Sequence, residues 1–312
     1  MLHRILLSLS LLVALPCASQ ASAETSPSAL QSAQMVVSMR PIAMLAQELT
    51  EGLPVEITTL LPAGATPHDY ALKPSDLRLI AGADLLVWLG EQGESYLAGV
   101  ADKARVQIDW AEVPGMVHLA PRSAMHQAQG GEHDHPAGHQ HDAAYDLHFW
   151  FSVDNAIALI NAVAESLLTS HPQLKEGLTT NKALMIKRLQ QQRSQSKALL
   201  AQGAGPFLLS HDAYYYLEED LGIHSEGAIS LDPEIKPGVK HLMAIKDRIK
   251  ADKVRCVISD PSVSDALLNK VDTQPPLKRV SIDPLAWDYQ GKRFSEWLSS
   301  VYVKMVVCTT AD

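Results

Sequence analysis

Short apolar runs alternate along the chain with longer stretches of helical periodicity, starting near Gln34. Alternating strand and helix patterns are typical of an α/β fold, in which helices flank a mostly parallel sheet. Pro41 and Pro74 each stand where the first turn of a helix is predicted, a position that tolerates proline. In this first half of the chain we predict strands at 35–38, 55–61, 84–89 and 106–108, and helices at 41–50, 74–81 and 94–103.

The same alternation returns after residue 205. Here we predict strands at 207–210, 228–230, 254–259 and 279–282, and helices at 213–221, 238–251, 263–271 and 294–306. The pattern therefore predicts two α/β lobes, at 24–151 and 204–312, each with a mostly parallel sheet flanked by helices.

The segment between the lobes, 152–203, has helical periodicity almost throughout. Ser152 is a suitable N-cap for it, and the one break falls at His171-Pro172. A helical connector is stiffer than a Gly/Ser linker. We therefore expect a long, rigid helical connector that permits limited movement of one lobe against the other.

The first 23 residues differ from the rest of the chain. A short basic start precedes the uncharged apolar run 5–15, and Ala21-Ser22-Ala23 forms a small-residue cleavage site, which is the layout of a secretory signal peptide. A transmembrane anchor would need roughly 20 apolar residues. Cys17 is a poor lipid-attachment site, because the residues before it do not fit the small-residue pattern. We expect a signal peptide at 1–23 and a periplasmic mature protein.

The charge balance bears on the class of ligand. Loss of Arg4 with the leader leaves 25 basic residues against 35 acidic ones, a net charge of −10 with histidine neutral. This balance argues against nucleic acid as a partner, because such binding depends on phosphate neutralisation by Lys and Arg. A cationic ligand fits it better.

The cysteines agree with export. Cys17 leaves with the leader, so that the mature chain keeps Cys256 and Cys308. In an oxidising compartment, two such cysteines most simply form one disulfide.

Four polar side chains stand where an open α/β sheet binds its ligands, at or near the carboxyl ends of strands. His68, His211 and Asp283 each follow a predicted strand, and His148 directly precedes the connector. Three imidazoles and one carboxylate suit the tetrahedral geometry of zinc. Calcium and magnesium prefer oxygen ligands, and a manganese site would carry more carboxylate. The sequence therefore predicts a zinc site built from both lobes.

Five ordered segments of the chain carry a family resemblance. The segment Leu61–Asp76 (LPAGATPHDYALKPSD) closely resembles the first metal-ligand segment of the ZnuA-type zinc uptake solute-binding proteins of ABC transporters. The similarity covers essentially the whole mature chain. The later matching segments are Asp146–Trp150, Ser210–Tyr214, Asp232–Gly238 and Ile282–Leu285.

The resemblance implies that His68, His148 and His211 are metal ligands. It leaves three choices for the fourth position: Asp283, water, or an acidic residue before the first histidine. Position 67 is a proline, so the last choice is absent, which favours Asp283 as the fourth ligand.

Three other acidic residues are secondary candidates. Asp69 and Asp212 each stand beside a ligand histidine, where they would either orient the imidazole or cap a helix. Asp260 follows a predicted strand and precedes Pro261, which favours a turn residue over a ligand.

A histidine-rich segment at 118–144 has too few apolar residues to pack, so we expect a mobile loop in the first lobe. Metal bound there must order free chain, and this entropy cost lowers affinity. We expect an auxiliary zinc collector; an inert surface insertion is the alternative. Its candidate ligands are His126, His133, His135, His139 and His141.

The resemblance implies a periplasmic, monomeric zinc-binding protein that delivers Zn²⁺ to the membrane permease of an ABC importer. It implies no enzymatic activity. A secreted zinc hydrolase is a rival, but the chain has no H-E-x-x-H and its candidate ligands are spread over both lobes. A manganese-binding importer component or adhesin of the same fold is the other alternative.

Overall fold

The first lobe is built on four parallel strands, β1 (Ala33–Val37), β2 (Val55–Thr59), β3 (Leu85–Trp88) and β4 (Gln107–Asp109), in the order β2-β1-β3-β4. The structure is a computed structural model that describes residues 32–67, 70–122, 143–230 and 236–310. The predicted signal peptide, His68, Asp69 and the five loop histidines lie outside the described residues. In register, Met35 of the central strand β1 lies between Ile57 and Leu85.

The helices of this lobe are α1 (Arg40–Leu49), α2 (Pro74–Ala81) and α3 (Ser95–Ala98). Both prolines occupy first-turn positions, as predicted. The helix predicted at 94–103 was wrong in extent: it is the short α3 followed by a 3₁₀ turn, Ala101–Lys103. Gly99 lies between the two as the C-cap of α3, and glycine is a weak helix former.

Two helices connect the lobes, α4 (Val153–Ser170) and α5 (Lys175–Leu200), separated by a 3₁₀ turn at Pro172–Leu174. The Ser152 hydroxyl accepts a hydrogen bond from the backbone N–H of Asn155, as an N-cap does. The break comes where proline disfavours helical backbone in the residue before it. The predicted cap and the predicted break are both confirmed.

The long helix α5 contacts both lobes. Near its start, the Asn181 amide donates to the backbone oxygens of Leu49 and Glu51, both at 3.0 Å. Nearer its end, Arg193 bonds Asp220 of the second lobe at 3.4 Å. Hydrogen bonds therefore hold α5 in place against both lobes.

The second lobe repeats the first sheet with β5 (Phe207–His211), β6 (Ala228–Ser230), β7 (Cys256–Ser259) and β8 (Lys278–Ser281), parallel and in the order β6-β5-β7-β8. Its helices are α6 (Tyr215–Leu221), α7 (Val239–Ala251), α8 (Asp265–Val271) and α9 (Phe294–Thr309). The predicted disulfide is confirmed: Cys256 of β7 is bonded to Cys308 of α9, with Cα atoms 5.6 Å apart.

The main apolar core runs through both lobes. It includes Val37 of β1, Phe151, Leu159 of α4, Leu209 of β5 and Trp297 of α9, each at most 2 % exposed. Burial on this scale is the main favourable contribution to folding, and a shared core opposes wide separation of the lobes.

Polar contacts tie the lobes together beside that core. The Arg40 guanidinium at the start of α1 donates to the backbone oxygens of Ala286 and Tyr289, at 2.7 and 2.6 Å. Glu48 at the other end of α1 accepts from the backbone N–H and the hydroxyl of Ser295 in α9, at 2.8 and 2.6 Å. Within the described part of the chain, no helix is both long enough and apolar enough to cross a membrane.

Candidate metal site

His211 is the last residue of β5, a strand whose five residues are all buried. Its Nδ1 lies 2.8 Å from Oδ2 of Asp260, which follows the neighbouring strand β7. Asp260 is itself fixed, because its Oδ1 accepts from the backbone N–H and hydroxyl of Ser262, at 2.8 and 2.6 Å. The backbone N–H of Asp260 donates to the Ser210 hydroxyl at 2.7 Å. Two adjacent strand ends therefore hold this imidazole in one orientation.

His148 lies at the start of a buried 3₁₀ turn, Phe149–Phe151. Asp146 accepts the backbone N–H of His148 at 2.8 Å, and the same oxygen lies 3.2 Å from Nδ1 of the imidazole. The Trp150 indole N–H donates to the backbone oxygen of Pro284 at 2.9 Å, which fastens this turn to the second lobe. A carboxylate thus orients this histidine as well.

The structure brings the two imidazoles together. The ring centroids of His148 and His211 are 5.3 Å apart, and the rings are inclined at 80°. Each Nδ1 faces a carboxylate, which leaves Nε2 as the nitrogen available to a metal. Metal-binding histidines are held in this way, with the second ring nitrogen donating to a carboxylate that fixes the tautomer and makes the ligand more basic.

Electrostatics couple each histidine to its acid. Burial lowers the pKa of His148, but the charge and hydrogen bond of Asp146 outweigh burial, and the pKa is raised. Burial raises the pKa of Asp146, yet the contacts with His148 and the charge of Arg122 bring it below its usual value. Burial also acts to raise the pKa of Asp260, and the bonds from His211 and Ser262 reverse the effect. The acids beside the imidazoles are therefore held as carboxylates.

Asp283, the predicted fourth ligand, binds its own loop. Its Oδ1 accepts from the backbone N–H of Leu285 at 2.9 Å, and its Oδ2 accepts from those of Trp287 and Asp288 at 2.7 and 3.1 Å. Burial raises its pKa. Among the residues that the structure describes, no group of three or more His, Cys, Asp or Glu side chains is arranged to hold a metal ion. The described part of the predicted site is thus the pair His148 and His211.

The orienting acids are Asp146 and Asp260, whereas Asp212 is paired with Arg122. Asp146 stands two residues before His148, close enough for the sequence to indicate it. Asp260 is separated from His211 by 49 residues, so that only the pairing of β5 with β7 reveals the contact.

Two parallel α/β lobes, with a pair of acid-oriented imidazoles where the lobes meet, define the class of two-lobed metal-binding proteins. Residues 35–308 match the family described as zinc-uptake complex component A, periplasmic. The chain belongs to this family.

Relatives and solved structures agree with that assignment. The chain is 34 % identical over 277 residues to the high-affinity zinc uptake system protein ZnuA of Yersinia pestis, covering 83 % of this chain and 85 % of that protein. It is 31 % identical over 267 residues to the ZnuA of Haemophilus ducreyi, covering 81 % and 85 %. A crystal structure of ZnuA superposes with a TM-score of 0.72 at 19 % identity, over 89 % of this chain and 99 % of that one. This structural likeness supports the fold.

Proposed function

We propose that the protein captures Zn²⁺ in the periplasm and delivers it to the permease of an ABC importer. The observation that carries this proposal is the pair His148 and His211. Their rings lie close together where the lobes meet, and each ring is oriented by a carboxylate. Such a pair supplies two strong nitrogen ligands without any further ordering of their side chains. Membership of the zinc-uptake family supports zinc as the cargo.

His68 is the third ligand in this proposal. Described residues on both sides of it in the chain make hydrogen bonds, and these support the proposal. Before it, the backbone oxygen of Ala65 accepts from the Trp287 indole N–H of the second lobe at 3.2 Å. After it, the Tyr70 hydroxyl donates to Asp76 of α2 at 2.7 Å.

Asp283 is the fourth ligand in this proposal, with water as the alternative. A carboxylate has about four lone-pair sites, so three backbone N–H donors still leave room for coordination. Asp283 also holds the loop that contains Trp287, because it accepts a hydrogen bond from the backbone N–H of Trp287. The indole N–H of Trp287 in turn donates to the backbone oxygen of Ala65. A substitution at Asp283 would therefore act on the site both directly and through this loop.

Nitrogen ligands favour zinc over manganese, because imidazole suits zinc whereas carboxylate and water suit the harder ion. The carboxylates of Asp146 and Asp260 are engaged with Nδ1 atoms, which supports a nitrogen-rich site. We propose that the protein has a transport role without catalysis, and that it acts as a monomer.

The histidine-rich segment is proposed as an auxiliary zinc collector of lower affinity. Deletion of residues 125–143 should keep one tightly bound zinc per chain and remove the weaker, additional binding. Zinc titration followed by circular dichroism tests both points. Unchanged total stoichiometry would favour an inert insertion, and loss of the tight site in a folded deletion would refute the separation of the two functions.

The function itself is tested by titrating the purified protein with zinc and with manganese against a chromogenic chelator. We expect one tight zinc per chain, with manganese bound more weakly, and loss of that site in the double variant H148A/H211A. His171, which is half-buried and hydrogen-bonded to Ser170, provides a matched control through H171A. Wild-type protein that bound no zinc, or bound manganese more tightly, would contradict the proposal.

A further inference from the structure

Helix α7 and the turn after it differ in charge from the chain as a whole. From Val239 to Arg255 there are six basic residues against two acidic ones, a net charge of +4 with histidine neutral. The whole chain carries a net charge of −9. All six basic residues are exposed. An acidic protein therefore presents a basic surface along this helix.

The inner face of α7 is apolar and packs on its own lobe. Ile245 and Ile249 are 5 % and 3 % exposed, in a core that also contains Leu208 of β5. Beside that face, Val239 and Met243 are 76 % and 61 % exposed, which makes them the most exposed large apolar side chains in the described part of the chain. Folding of the lobe thus leaves two apolar side chains on neighbouring turns in water, where cover by an apolar phase would be favourable.

The exposed apolar pair lines up with two lysines. Val239, Met243, Lys246 and Lys250 are spaced by four, three and four residues, which places them on one stripe of the helix, about 16 Å long. The apolar side chains form one end of the stripe and the ammonium groups form the other. Helices that lie at a membrane surface combine the same two elements: apolar side chains enter the headgroup boundary, and lysines meet anionic lipid.

Contacts with β6 give the direction of α7. Nε2 of His241 lies 3.1 Å from the backbone oxygen of Ala228, and the Arg248 guanidinium donates to the backbone oxygen of Glu226 at 2.8 Å. The helix therefore runs antiparallel to β6. Its apolar end is the end nearer to the sheet edge where β5, the neighbour of β6, ends in His211.

We propose that this stripe docks the protein on the anionic lipid headgroups of the membrane that contains the permease. Charge complementarity supports this occupant, because such a surface attracts α7 while it repels an otherwise acidic protein. Lipid phosphates match the lysines and the headgroup boundary covers the apolar pair, so that one partner accounts for both halves of the stripe. The setting comes from the function proposed above, but the docking itself requires no zinc.

The test measures how much zinc-free mature protein sediments with phosphatidylcholine vesicles, with and without phosphatidylglycerol. Wild-type protein should bind the vesicles that contain phosphatidylglycerol, and added salt should weaken this binding. In K246E/K250E the partition coefficient should fall by about tenfold or more. V239S/M243S should give a smaller loss, whereas D247N, which removes an exposed acid from the same helix, should strengthen binding.

Two exposed lysines of α5, Lys175 and Lys187, provide a matched control. K175E/K187E changes the net charge by the same amount but leaves the stripe intact, so it should reduce binding far less than K246E/K250E. Thermal unfolding of each variant verifies the fold. If K246E/K250E does not fold, K246Q/K250Q provides the same comparison with a smaller change in charge.

Absence of wild-type binding to the phosphatidylglycerol vesicles, equal binding to vesicles without that lipid, or an equal loss in K175E/K187E would each overturn this inference. Binding of the stripe to the detergent-solubilised permease, without binding to vesicles, would also overturn it and would make the stripe a protein interface. Zinc titration of the same variants keeps the two proposals apart. Failure of the wild-type protein to bind zinc would refute the proposed function, whereas the vesicle result decides the docking alone.

Discussion

The two lobes have the same sheet but place different side chains at the end of the central strand. In the second lobe, β5 ends in His211, and Asp260 after the adjacent β7 accepts its hydrogen bond. In the first lobe, β1 is followed by the buried Ser38, and the buried acid near the end of the adjacent β3 is Glu94. Glu94 accepts from a backbone N–H and a tyrosine hydroxyl, at 2.7 and 2.9 Å, instead of an imidazole.

This difference shows that the shared topology provides the strand end and a buried acid, while the residue that the acid contacts is set locally. In our proposal, the second lobe supplies its ligand His211 from the sheet. The first lobe supplies, in the same proposal, His148 from the turn that leaves the lobe and His68 from a loop. The second lobe should therefore provide the more rigid half of the site, and the first lobe the half that depends on its loops.

The disulfide exists in the second lobe alone among the described residues, and its loss has the largest expected effect on stability. The bond from Cys256 to Cys308 closes a loop of 52 residues. In the chain-entropy model, such a loop contributes roughly 4 kcal/mol to the free energy of unfolding, an upper estimate. Urea unfolding with and without reductant should show this loss. The variant C256A/C308A should not respond to reductant, and a loss below about 1 kcal/mol would contradict the estimate.

Single alanine substitutions test whether the lobes contribute equally to affinity. H68A, H148A and H211A should each weaken zinc binding more than about 100-fold, which exceeds the usual effect of removing an orienting acid. D283A should cost less, because water can replace a carboxylate ligand. Zinc affinity measured by chelator competition decides the order. Unchanged affinity in any one histidine variant would remove that residue from the site.

Glu94 makes the stability of the protein fall as pH rises through the neutral range, an effect that Asp260 in the second lobe does not have. Burial is the largest influence and raises its pKa to about 7, while the bonds from Leu89 and Tyr96 oppose the shift. The pKa of Glu94 is higher in the folded chain than in the unfolded chain. Its contribution to the free energy of unfolding is therefore complete below about pH 4.5 and is lost as pH rises through about 7.

E94Q keeps the side chain neutral at every pH. The difference between the unfolding free energies of E94Q and wild type should therefore shift by about 2 to 3 kcal/mol in favour of the variant between pH 5 and pH 8. Urea unfolding at both pH values measures it. A constant difference across this range would mean that Glu94 is ionised throughout.

Much of the fold was predictable because buried parallel strands appear in sequence as nearly continuous apolar runs, such as Leu85–Trp88. The break followed from the local effect of Pro172, and the pairing of Cys256 with Cys308 followed from their being the two cysteines of the mature chain in an oxidising compartment. The order of the strands did not, since the pattern of one strand says nothing about its neighbours.

That limit explains which parts of the site were missed. The candidate ligands stand at strand ends and were visible from the sequence. Asp260 was interpreted as a turn residue, because its contact with His211 depends on β5 lying beside β7. No pattern in the sequence indicated the pairing of Arg122 with Asp212, because the two residues are 90 apart in the chain.

The smallest expected effect distinguishes the two orienting acids. Removal of such a partner typically costs about 10- to 100-fold in metal affinity. Asp260 is fixed by Ser262 and lies 2.8 Å from its imidazole, whereas Asp146 lies 3.2 Å from Nδ1 of His148.

D260N should therefore fall near the upper end of that range and D146N near the lower end. Asparagine preserves the shape and one acceptor oxygen in both variants, so the loss measures the charge that makes the imidazole a better ligand. Asp265, an exposed acid of the second lobe paired with Arg279, provides the control: D265N removes one negative charge that contacts neither His148 nor His211 in the structure and should leave zinc affinity unchanged. If D265N weakened zinc binding as much as D260N, net charge would explain the effect and orientation would not. If D146N cost as much as D260N, the second lobe would have no advantage in rigidity, because an acid on the same turn as its histidine would serve as well as one held by a neighbouring strand.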